Sequence, residues 1–312
     1  MNTLKILFVG IGSIAKRHIR NLYIIAKRRR LSITIDAFRR IPSTISVDEI
    51  QKEYTDLSSV PCDYDVVFIT NPTELHFDTL KQFHNKGKHF FIEKPVVSLT
   101  QLEAAKEFEL RPDSVYYVAC PLRYNAIIQY IKDHILVNEV LSVRSISSSY
   151  LPDWRKCQDY RQTYSAHKEM GGGVSIDLIH EWDYLTYLFG WPREVKSMMG
   201  KKSNLEIDSD DYAIYIAEYS DKIVELHLDY FGRKTIRTIE LFTENDTIIG
   251  NIANNRISFL VSGKTIDFHE ERDDYQRREL EYFIDQINNP NRLSTNSYLY
   301  GIKVLELTQG RI

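Results

Sequence analysis

Short apolar runs alternate with amphipathic stretches over the first 120 residues of the chain. In the longer stretches apolar residues recur every three or four positions, which is typical of helices buried along one face. The predicted strands cover residues 4–9, 33–38, 65–70 and 89–92, and the predicted helices cover residues 13–29, 75–86 and 102–110. The pattern predicts an α/β domain over residues 1–120, with a parallel sheet wrapped by crossover helices.

The pattern changes from about residue 121 onward. Strand-like runs at residues 143–150, 213–219, 223–230 and 236–242 follow one another, with predicted helices at 175–189, 275–287 and 298–307. Apolar and polar residues alternate in the last three strands, which indicates an antiparallel sheet with one covered face. Residues 121–312 are therefore predicted to form an α+β domain. Its uncovered sheet face leads us to expect a homo-oligomer.

The composition argues against nucleic acids and membranes as binding partners. The chain of 312 residues has 40 Lys plus Arg against 43 Asp plus Glu, so it lacks the basic excess that nucleic-acid binding needs. No apolar run approaches the ~20 residues of a membrane-spanning helix, so no membrane partner is expected. The three cysteines form no CxxC pair. That argues against a zinc ribbon or a disulfide framework, and we expect a cytoplasmic protein.

A glycine-rich turn follows the first predicted strand and opens the first helix. Gly10 permits a tight turn, Gly12 lets backbone amides approach a pyrophosphate, and Ala15 allows close packing of helix on strand. Ser13 and Ile14 begin the helix, whose amino end supplies N–H groups for an anion. The turn predicts dinucleotide binding, and the alternative is a simple strand–helix connection.

The end of the second strand bears on the choice of cofactor. An acid there accepts from the 2′-hydroxyl of NAD, whereas an arginine pairs with the 2′-phosphate of NADP. Asp36 precedes the strand end by two residues, and Arg39 and Arg40 follow it, with Ser43 as a second phosphate partner. NADP is therefore favoured over NAD. The alternatives are that both arginines are solvated, or that Arg39 stacks on the adenine and serves either cofactor.

Two further motifs contain groups suited to acid–base chemistry. Glu93 and Lys94 follow the predicted strand 89–92, where a lysine can stabilise a developing alkoxide. Asp177, His180 and Asp183 recur at i, i+3 and i+6 of the predicted helix 175–189, after three glycines. A histidine there is suited to accept a proton during alcohol oxidation. The alternatives are a surface lysine and a histidine that merely bonds a neighbour. No metal is predicted, since no further His or Cys accompanies the set.

Taken in order, VGIGSIA, FIEKP and GGGVSIDLIHEWD resemble the Gfo/Idh/MocA family of oxidoreductases. Asn71, Pro72 and His76, after the DVVFIT strand, are similar to the cofactor-side loop of that family. The resemblance implies a Rossmann domain that binds NAD(P) and an α/β domain with a large open sheet. It also implies that Lys94 and Glu93 lie at the cofactor.

By the same resemblance Lys94 matches the catalytic lysine, and Asp177 and His180 match the catalytic carboxylate and histidine. The family usually has three residues between the aspartate and the histidine, whereas this chain has two.

The segment 151–166 resembles a branch of the family associated with surface-polysaccharide sugars. It places Trp154, Arg161 and Tyr164 as substrate candidates, with Arg123 from the turn at 121–125 as a fourth. The alternative is an ordered loop packed by its own aromatic side chains.

The function expected from these residues is hydride transfer between nicotinamide and a sugar, sugar nucleotide or sugar acid. His180 would accept the hydroxyl proton, Lys94 would polarise the oxygen, and Asp177 would orient the pair. One alternative is a C=N or C=O reductase that acts on a non-sugar substrate. Another is a non-catalytic NAD(P)-binding sensor or regulator.

Overall fold

The computed structural model describes residues 3–40, 48–289 and 294–310. These residues form two compact units, Met1–Ala119 with Gln276–Ile302, and Cys120–Tyr275 with Lys303–Ile312. Residues 121–312 are predicted as one domain, whereas residues 276–289 and 294–302 group with the first unit.

The first unit is built on a six-stranded, all-parallel sheet in the order β3-β2-β1-β4-β5-β6. Its strands and helices are β1 (Thr3–Val9), α1 (Ser13–Arg29), β2 (Ser32–Phe38), β3 (Lys52–Tyr54), β4 (Tyr64–Ile69), α2 (His76–Phe83), β5 (Gly87–Ile92), α3 (Leu102–Lys106) and β6 (Tyr116–Val118). This is the strand order of a dinucleotide-binding domain, and the order reverses between β1 and β4. The predicted parallel α/β fold is confirmed.

Aromatic rings stack from strand to strand across the centre of this sheet. Phe8 stacks on Phe68 with ring centroids 4.5 Å apart, Phe68 on Phe91 at 4.7 Å, and Phe91 on Tyr117 at 5.3 Å. Such pairs stabilise the fold by about 0.5–1.5 kcal/mol beyond the burial of their area. The ladder holds the strands in register, so that the loops after β1, β2, β4 and β5 emerge at one edge.

The second unit contains an eight-stranded sheet in the order β14-β13-β12-β11-β7-β10-β9-β8. Its elements are α4 (Ala126–His134), β7 (Val140–Tyr150), α5 (Val174–Asp177), α6 (Ile179–Phe189), β8 (Glu194–Gly200), β9 (Tyr212–Glu218), β10 (Ile223–Asp229), β11 (Phe231–Thr243), β12 (Thr247–Asn251), β13 (Arg256–Phe259) and β14 (Thr265–Asp267). Only the β7–β10 pair is parallel among the pairs of this sheet, so the predicted, mostly antiparallel sheet is confirmed. Helices α7 (Arg272–Asn288) and α8 (Tyr298–Leu307) complete the described chain.

Helix α6 packs against the covered face of this sheet. Trp182 meets the ring of Tyr215 edge-on at 5.2 Å, and the hydroxyl of Tyr184 lies 2.7 Å from Ser145 Oγ of β7. All four side chains are buried. The sheet therefore fixes both the position and the rotation of α6, the helix that contains His180.

The opposite face of the sheet has exposed apolar side chains among charged ones. Met198, Ile216 and Ile223 are exposed on three neighbouring strands. Arg144 of β7 lies 3.3 Å from Glu225 and 3.6 Å from Glu240, on the strands to either side. This outer face has the mixed character of a surface that can pair with another protein.

The prediction of one continuous helix over 175–189 is wrong, because the structure has two helices there. The segment is divided into α5 and α6 at Leu178, whose φ of −97° and ψ of 22° depart from helical values. Asp177 ends the first piece and His180 lies in the first turn of the second. The i, i+3 relation on one continuous helix, on which the predicted Asp177–His180 pairing relied, does not hold.

Candidate active site

The glycine turn after β1 fits closely against the loop after β4. Gly10 has a φ of +88°, and a Cβ built on it would lie 2.7 Å from the Cα of Asn71. The amide of Gly10 donates to the carbonyl oxygen of Phe38. The carbonyl oxygen of Gly10 accepts from the hydroxyl of Thr70 at 2.7 Å. Only glycine combines this backbone conformation with so close an approach.

The amino end of α1 meets open space instead. A Cβ built on Gly12 finds no described heavy atom within 4 Å, and Gly12 and Ser13 are exposed while Ile14 is half-buried. The first turn of α1, which lies wholly within the described residues, has no acidic side chain. Backbone N–H groups at such an end attract an anion, so this turn fits the pyrophosphate of a dinucleotide.

His76 lies behind this loop and contacts two segments of the predicted cofactor site. Its ring is buried, with one nitrogen 2.9 Å from the carbonyl oxygen of Asn71 and the other 2.9 Å from that of Pro95. Burial, the largest influence, lowers the pKa of His76 despite the two carbonyl groups. The structure thus places His76 as a bridge between two loops, with Pro72 exposed at the tip of the first.

Glu93 and Lys94 follow β5 at the same edge of the sheet, and both are half-buried. Glu93 Oε1 lies 2.6 Å from Nε2 of the buried His18 on α1. Burial raises the pKa of Glu93, but contacts with His18 and the charge of Lys94 outweigh it, so that the pKa is lowered. Glu93 therefore ties the lysine-bearing loop to α1, and the Lys94–Pro95 peptide bond beyond it is cis.

The structure adds a carboxylate at the predicted ribose end of the site. Asp36 is buried in β2 and accepts from the hydroxyl of Tyr64 at 2.7 Å, so it is engaged within the fold. Arg39 Nη2 lies 2.9 Å from Oε1 of Glu53, which belongs to β3, a strand that the sequence analysis missed. Arg40 is exposed, and Ser43 lies outside the described residues.

In the second unit, the three glycines allow the start of α5 to pack closely on its neighbours. A Cβ on Gly172 would lie 2.0 Å from the carbonyl oxygen of Tyr164, and one on Gly173 would lie 2.1 Å from Oδ1 of Asp210. Asp210 in turn accepts from the amide of Ser175 at 2.9 Å. The glycines thus set the position of α5 and of Asp177 at its end.

Asp177 is buried among tyrosines. The hydroxyl of Tyr230 donates to its Oδ2 at 2.5 Å. The charge of Asp177 raises the pKa of Tyr164, with burial as the second cause. Trp154 packs edge-on against Tyr230 with centroids 5.3 Å apart, and it is partly exposed. Two of the predicted substrate residues, Trp154 and Tyr164, therefore belong to the surroundings of the predicted catalytic carboxylate.

His180 has charged neighbours of its own. Arg237 Nη2 of β11 lies 2.9 Å from His180 Nε2, and Arg237 Nε lies 2.9 Å from Oε1 of the buried Glu181. The same carboxylate oxygen is 3.3 Å from His180 Nε2. A histidine, a carboxylate and a guanidinium thus meet at one point, with His180 half-buried at the surface of the group.

The other two substrate candidates are differently placed. Arg123 is fully buried, and its Nε and Nη2 each lie 2.6 Å from an oxygen of Asp183 on α6. A buried guanidinium held by two such bonds is typical of an arginine that stabilises the fold, and the predicted contact of Arg123 with a substrate stays a prediction. Arg161 is exposed and bonds Asp159 and Glu206 at the surface, so its predicted role stays a prediction.

Sequence reasoning missed Glu181, Arg237 and Tyr230. Glu181 is adjacent to His180 in the chain, and that adjacency was the one local signal available. Tyr230 ends the predicted strand 223–230 and lies directly before β11, and Arg237 belongs to the predicted strand 236–242, which lies within β11. Their approach to α5 and α6 depends on the register of β11 on β7, which no local pattern contains.

The described residues contain neither a metal-binding cluster nor a helix able to span a membrane. Residues 3–40, 48–289 and 294–310 include no group of three or more His, Cys, Asp or Glu placed to hold a metal ion. Over the same ranges, each helix is too short or too polar to cross a bilayer.

Comparison with known protein families agrees with this fold and these motifs. Residues 4–119 match the family described as an oxidoreductase family with an NAD-binding Rossmann fold, and residues 138–238 match its C-terminal alpha/beta domain. The chain belongs to the Gfo/Idh/MocA family of NAD(P)-dependent oxidoreductases.

Among curated relatives, the chain is 27% identical over 187 residues to the uncharacterized oxidoreductase YrbE of Bacillus subtilis, covering 58% of this chain and 52% of YrbE. It is 28% identical over 153 residues to the D-xylose dehydrogenase of Paenarthrobacter nicotinovorans, covering 47% and 39%. The matches thus span about half or less of the length of these relatives.

Solved structures share the fold over the whole chain. Levoglucosan dehydrogenase in complex with NADH and levoglucosan superposes with a TM-score of 0.81 at 17% identity, covering 99% of this chain and 96% of that one. UDP-N-acetylglucosamine 3-dehydrogenase from Acidithiobacillus ferrooxidans gives 0.75 at 18% identity, covering 100% and 97%. At this level of identity the likeness concerns the fold.

Proposed function

We propose that this protein is an NAD(P)-dependent dehydrogenase of a sugar, sugar nucleotide or sugar acid. The observation that supports the proposal most is that one chain combines a glycine turn suited to a pyrophosphate with two side chains suited to acid–base chemistry. The turn at Gly10 and Gly12 fits a dinucleotide, Lys94 follows β5, and His180 lies beside a buried carboxylate. The relatives named above act on D-xylose, levoglucosan and UDP-N-acetylglucosamine.

The nicotinamide ring, when bound, supplies the hydride acceptor or donor. Side chains of the protein would position the substrate oxygen and transfer its proton. Lys94 donates to the substrate oxygen and stabilises negative charge on it, and His180 accepts the hydroxyl proton. A sensor would need only the turn at Gly10 and Gly12, so the presence of Lys94 and His180 favours an enzyme.

The direct test is turnover followed by the absorbance of reduced nicotinamide. The panel should hold free pentoses and hexoses, an anhydrosugar, UDP-sugars and sugar acids. Lys94→Ala is expected to lower kcat by on the order of 10²–10⁴ while the cofactor Kd stays within about tenfold. Lys88→Ala is the matched control, since Lys88 is exposed on β5. Equal kcat for the two variants would contradict the role of Lys94.

We further propose that Arg39 and Glu53 together set the choice of cofactor. Arg39 alone favours NADP, as the sequence indicated. Its contact with Glu53 neutralises part of the guanidinium charge, and the carboxylate would repel a 2′-phosphate. NAD is therefore the preferred cofactor while the pair is intact. Glu53→Gln is expected to improve the Kd of NADPH relative to NADH, and Arg39→Ala to worsen it.

Measuring both cofactors with both variants separates the two contributions. If Glu53→Gln leaves the ratio of the two Kd values unchanged, Glu53 has no part in the choice. If the wild type prefers NADPH, the paired arginine still dominates and our preference for NAD is wrong.

Two expectations from the sequence are retained as proposals. The exposed apolar residues on the outer face of the eight-stranded sheet support a homo-oligomer. None of the three cysteines, Cys62, Cys120 and Cys157, forms a disulfide within the described residues, which supports a cytoplasmic location.

A further inference from the structure

The charged side chains that contact His180 bear on which nitrogen of its ring is protonated. The inference rests on the proposed function, in which His180 accepts a proton, and deepens it. The residues concerned are Glu181, adjacent on α6, and Arg237, which reaches His180 from β11.

The guanidinium contact decides which ring nitrogen is protonated. An arginine side chain has only N–H donors, so an atom 2.9 Å from Arg237 Nη2 must accept. His180 Nε2 therefore holds a lone pair, and the proton of the neutral ring is on Nδ1. Of the two nitrogens, Nε2 is the one able to take a further proton.

The contact with the Glu181 carboxylate stabilises the protonated, positively charged ring of His180. Once Nε2 has a proton it can no longer accept from Arg237, and it can donate to Glu181 Oε1, which lies 3.3 Å away. Glu181 is buried, and burial raises its pKa. The charge of Arg237 and the contacts with His180 and Tyr184 outweigh this and lower the pKa, so Glu181 is ionised near neutral pH.

We propose that Glu181 and Arg237 are the positioning residues of His180. Arg237 keeps Nε2 unprotonated and aligned before the reaction, and the substrate hydroxyl then takes its place as donor to Nε2. The hydroxyl proton would pass to Nε2, and a bound nicotinamide would accept the hydride from the same carbinol carbon. Glu181 accepts the new Nε2–H, and the proton later passes to water.

Asp177 has a different set of partners, although the family resemblance assigns it to the same centre as His180. Its Oδ2 accepts from Tyr230, and it also acts on Tyr164. The break at Leu178 separates its helix from that of His180. The charged groups that bear on the titration of His180 include Glu181 of α6, Arg237 of β11 and, three residues earlier in the chain, Asp177 of α5.

The first test needs no substrate. In ¹⁵N-labelled full-length protein, the shifts of the two ring nitrogens report which one is protonated, and a spectrum of His180→Asn identifies the signals among those of the nine histidines. We expect the neutral ring to be protonated at Nδ1. Protonation at Nε2 in the neutral ring would overturn the proposal, whether or not a substrate has been found.

The second test uses the same spectra as a titration. Removing a negative neighbour disfavours the charged ring, and removing a positive neighbour favours it. Glu181→Gln should therefore move the titration midpoint of His180 down by about one pH unit or more, and Arg237→Gln should move it up. Asp177→Asn is the comparison and should have a smaller effect than Glu181→Gln.

With an active substrate, the acidic limb of kcat/KM should shift in the same two directions. A purely structural role would lower activity at all pH values without moving the limb. Shifts of the same sign in the two variants, or a larger shift in Asp177→Asn, would refute the assignment. If no substrate is turned over, the failure concerns the proposed function, because the titration stands by itself.

Discussion

The buried pair of Arg123 and Asp183 allows a direct test of whether Arg123 stabilises the fold or binds a ligand. The two side chains are 2% and 3% exposed and share two contacts of 2.6 Å. Arg123→Met keeps most of the apolar stem and removes the charge, which leaves the Asp183 carboxylate buried and unpaired. Breaking a buried pair from one side costs about 3–5 kcal/mol.

The expected effect is a large fall in thermal stability. For a unit of 150–250 residues each 1 kcal/mol shifts Tm by about 2–4 °C, so Arg123→Met should lower Tm by roughly 6–20 °C. Asp183→Asn should lower Tm by a similar amount, because it removes the negative partner of the buried Arg123 guanidinium. The double variant Arg123→Met with Asp183→Leu should recover most of the loss, because an apolar pair of similar volume replaces the ion pair.

Thermal unfolding followed by circular dichroism measures these shifts, and KM at a temperature well below every Tm separates folding from binding. An arginine that serves the fold leaves KM unchanged under those conditions. If Arg123→Met raises KM severalfold with Tm unaltered, Arg123 contacts the substrate and the structural reasoning is refuted.

Three more predictions follow from other contacts. Gly10→Ala should lower Tm, since strain of this kind costs about 1–3 kcal/mol, whereas Gly12→Ala should not, because its Cβ meets open space. His18→Leu should destabilise the protein at neutral pH. The pKa of Glu93 is lowered below its ordinary 4.5 in the fold, so the Tm difference from wild type should shrink as pH falls below 4.5. Ile216→Glu should reduce the mass measured by light scattering if the outer sheet face is an interface, and an unchanged mass would exclude that face.

The elements that could be predicted from the sequence are those with a strong local pattern. Residues 13–29 and 298–307 were predicted as helices with the bounds that the structure has. The central strands were found because their apolar runs are covered on both faces. The strands β3 and β6 were missed, since each has three residues and three residues show no periodicity.

The predictable part of the site is limited in the same way. The glycine turn and Lys94 were identified because each lies next to a strand end that is visible in the sequence. The partners that change their interpretation come from elsewhere in the chain. Glu53 reaches Arg39 from a short neighbouring strand, and Arg237 is 57 residues from His180. Such contacts depend on sheet register, which single-sequence patterns do not define.

The spacing between Asp177 and His180 is one residue shorter than is usual in the family, and this affects how the candidate site is organised. With Leu178 out of helical conformation, Asp177 ends α5 whereas His180 lies in the first turn of α6. Asp177 connects through Tyr230 to Trp154, and His180 connects through Arg237 to Glu181.

If these two polar groups act separately, substitutions in one should not change the effect of substitutions in the other. The effects of Tyr230→Phe and Arg237→Gln on the His180 titration and on kcat/KM should then add as free energies to within about 0.5 kcal/mol, whereas Glu181→Gln and Arg237→Gln should not add. A large coupling between Tyr230 and Arg237 would mean that the two groups act as one, and that the family pairing of aspartate and histidine survives the break in the helix.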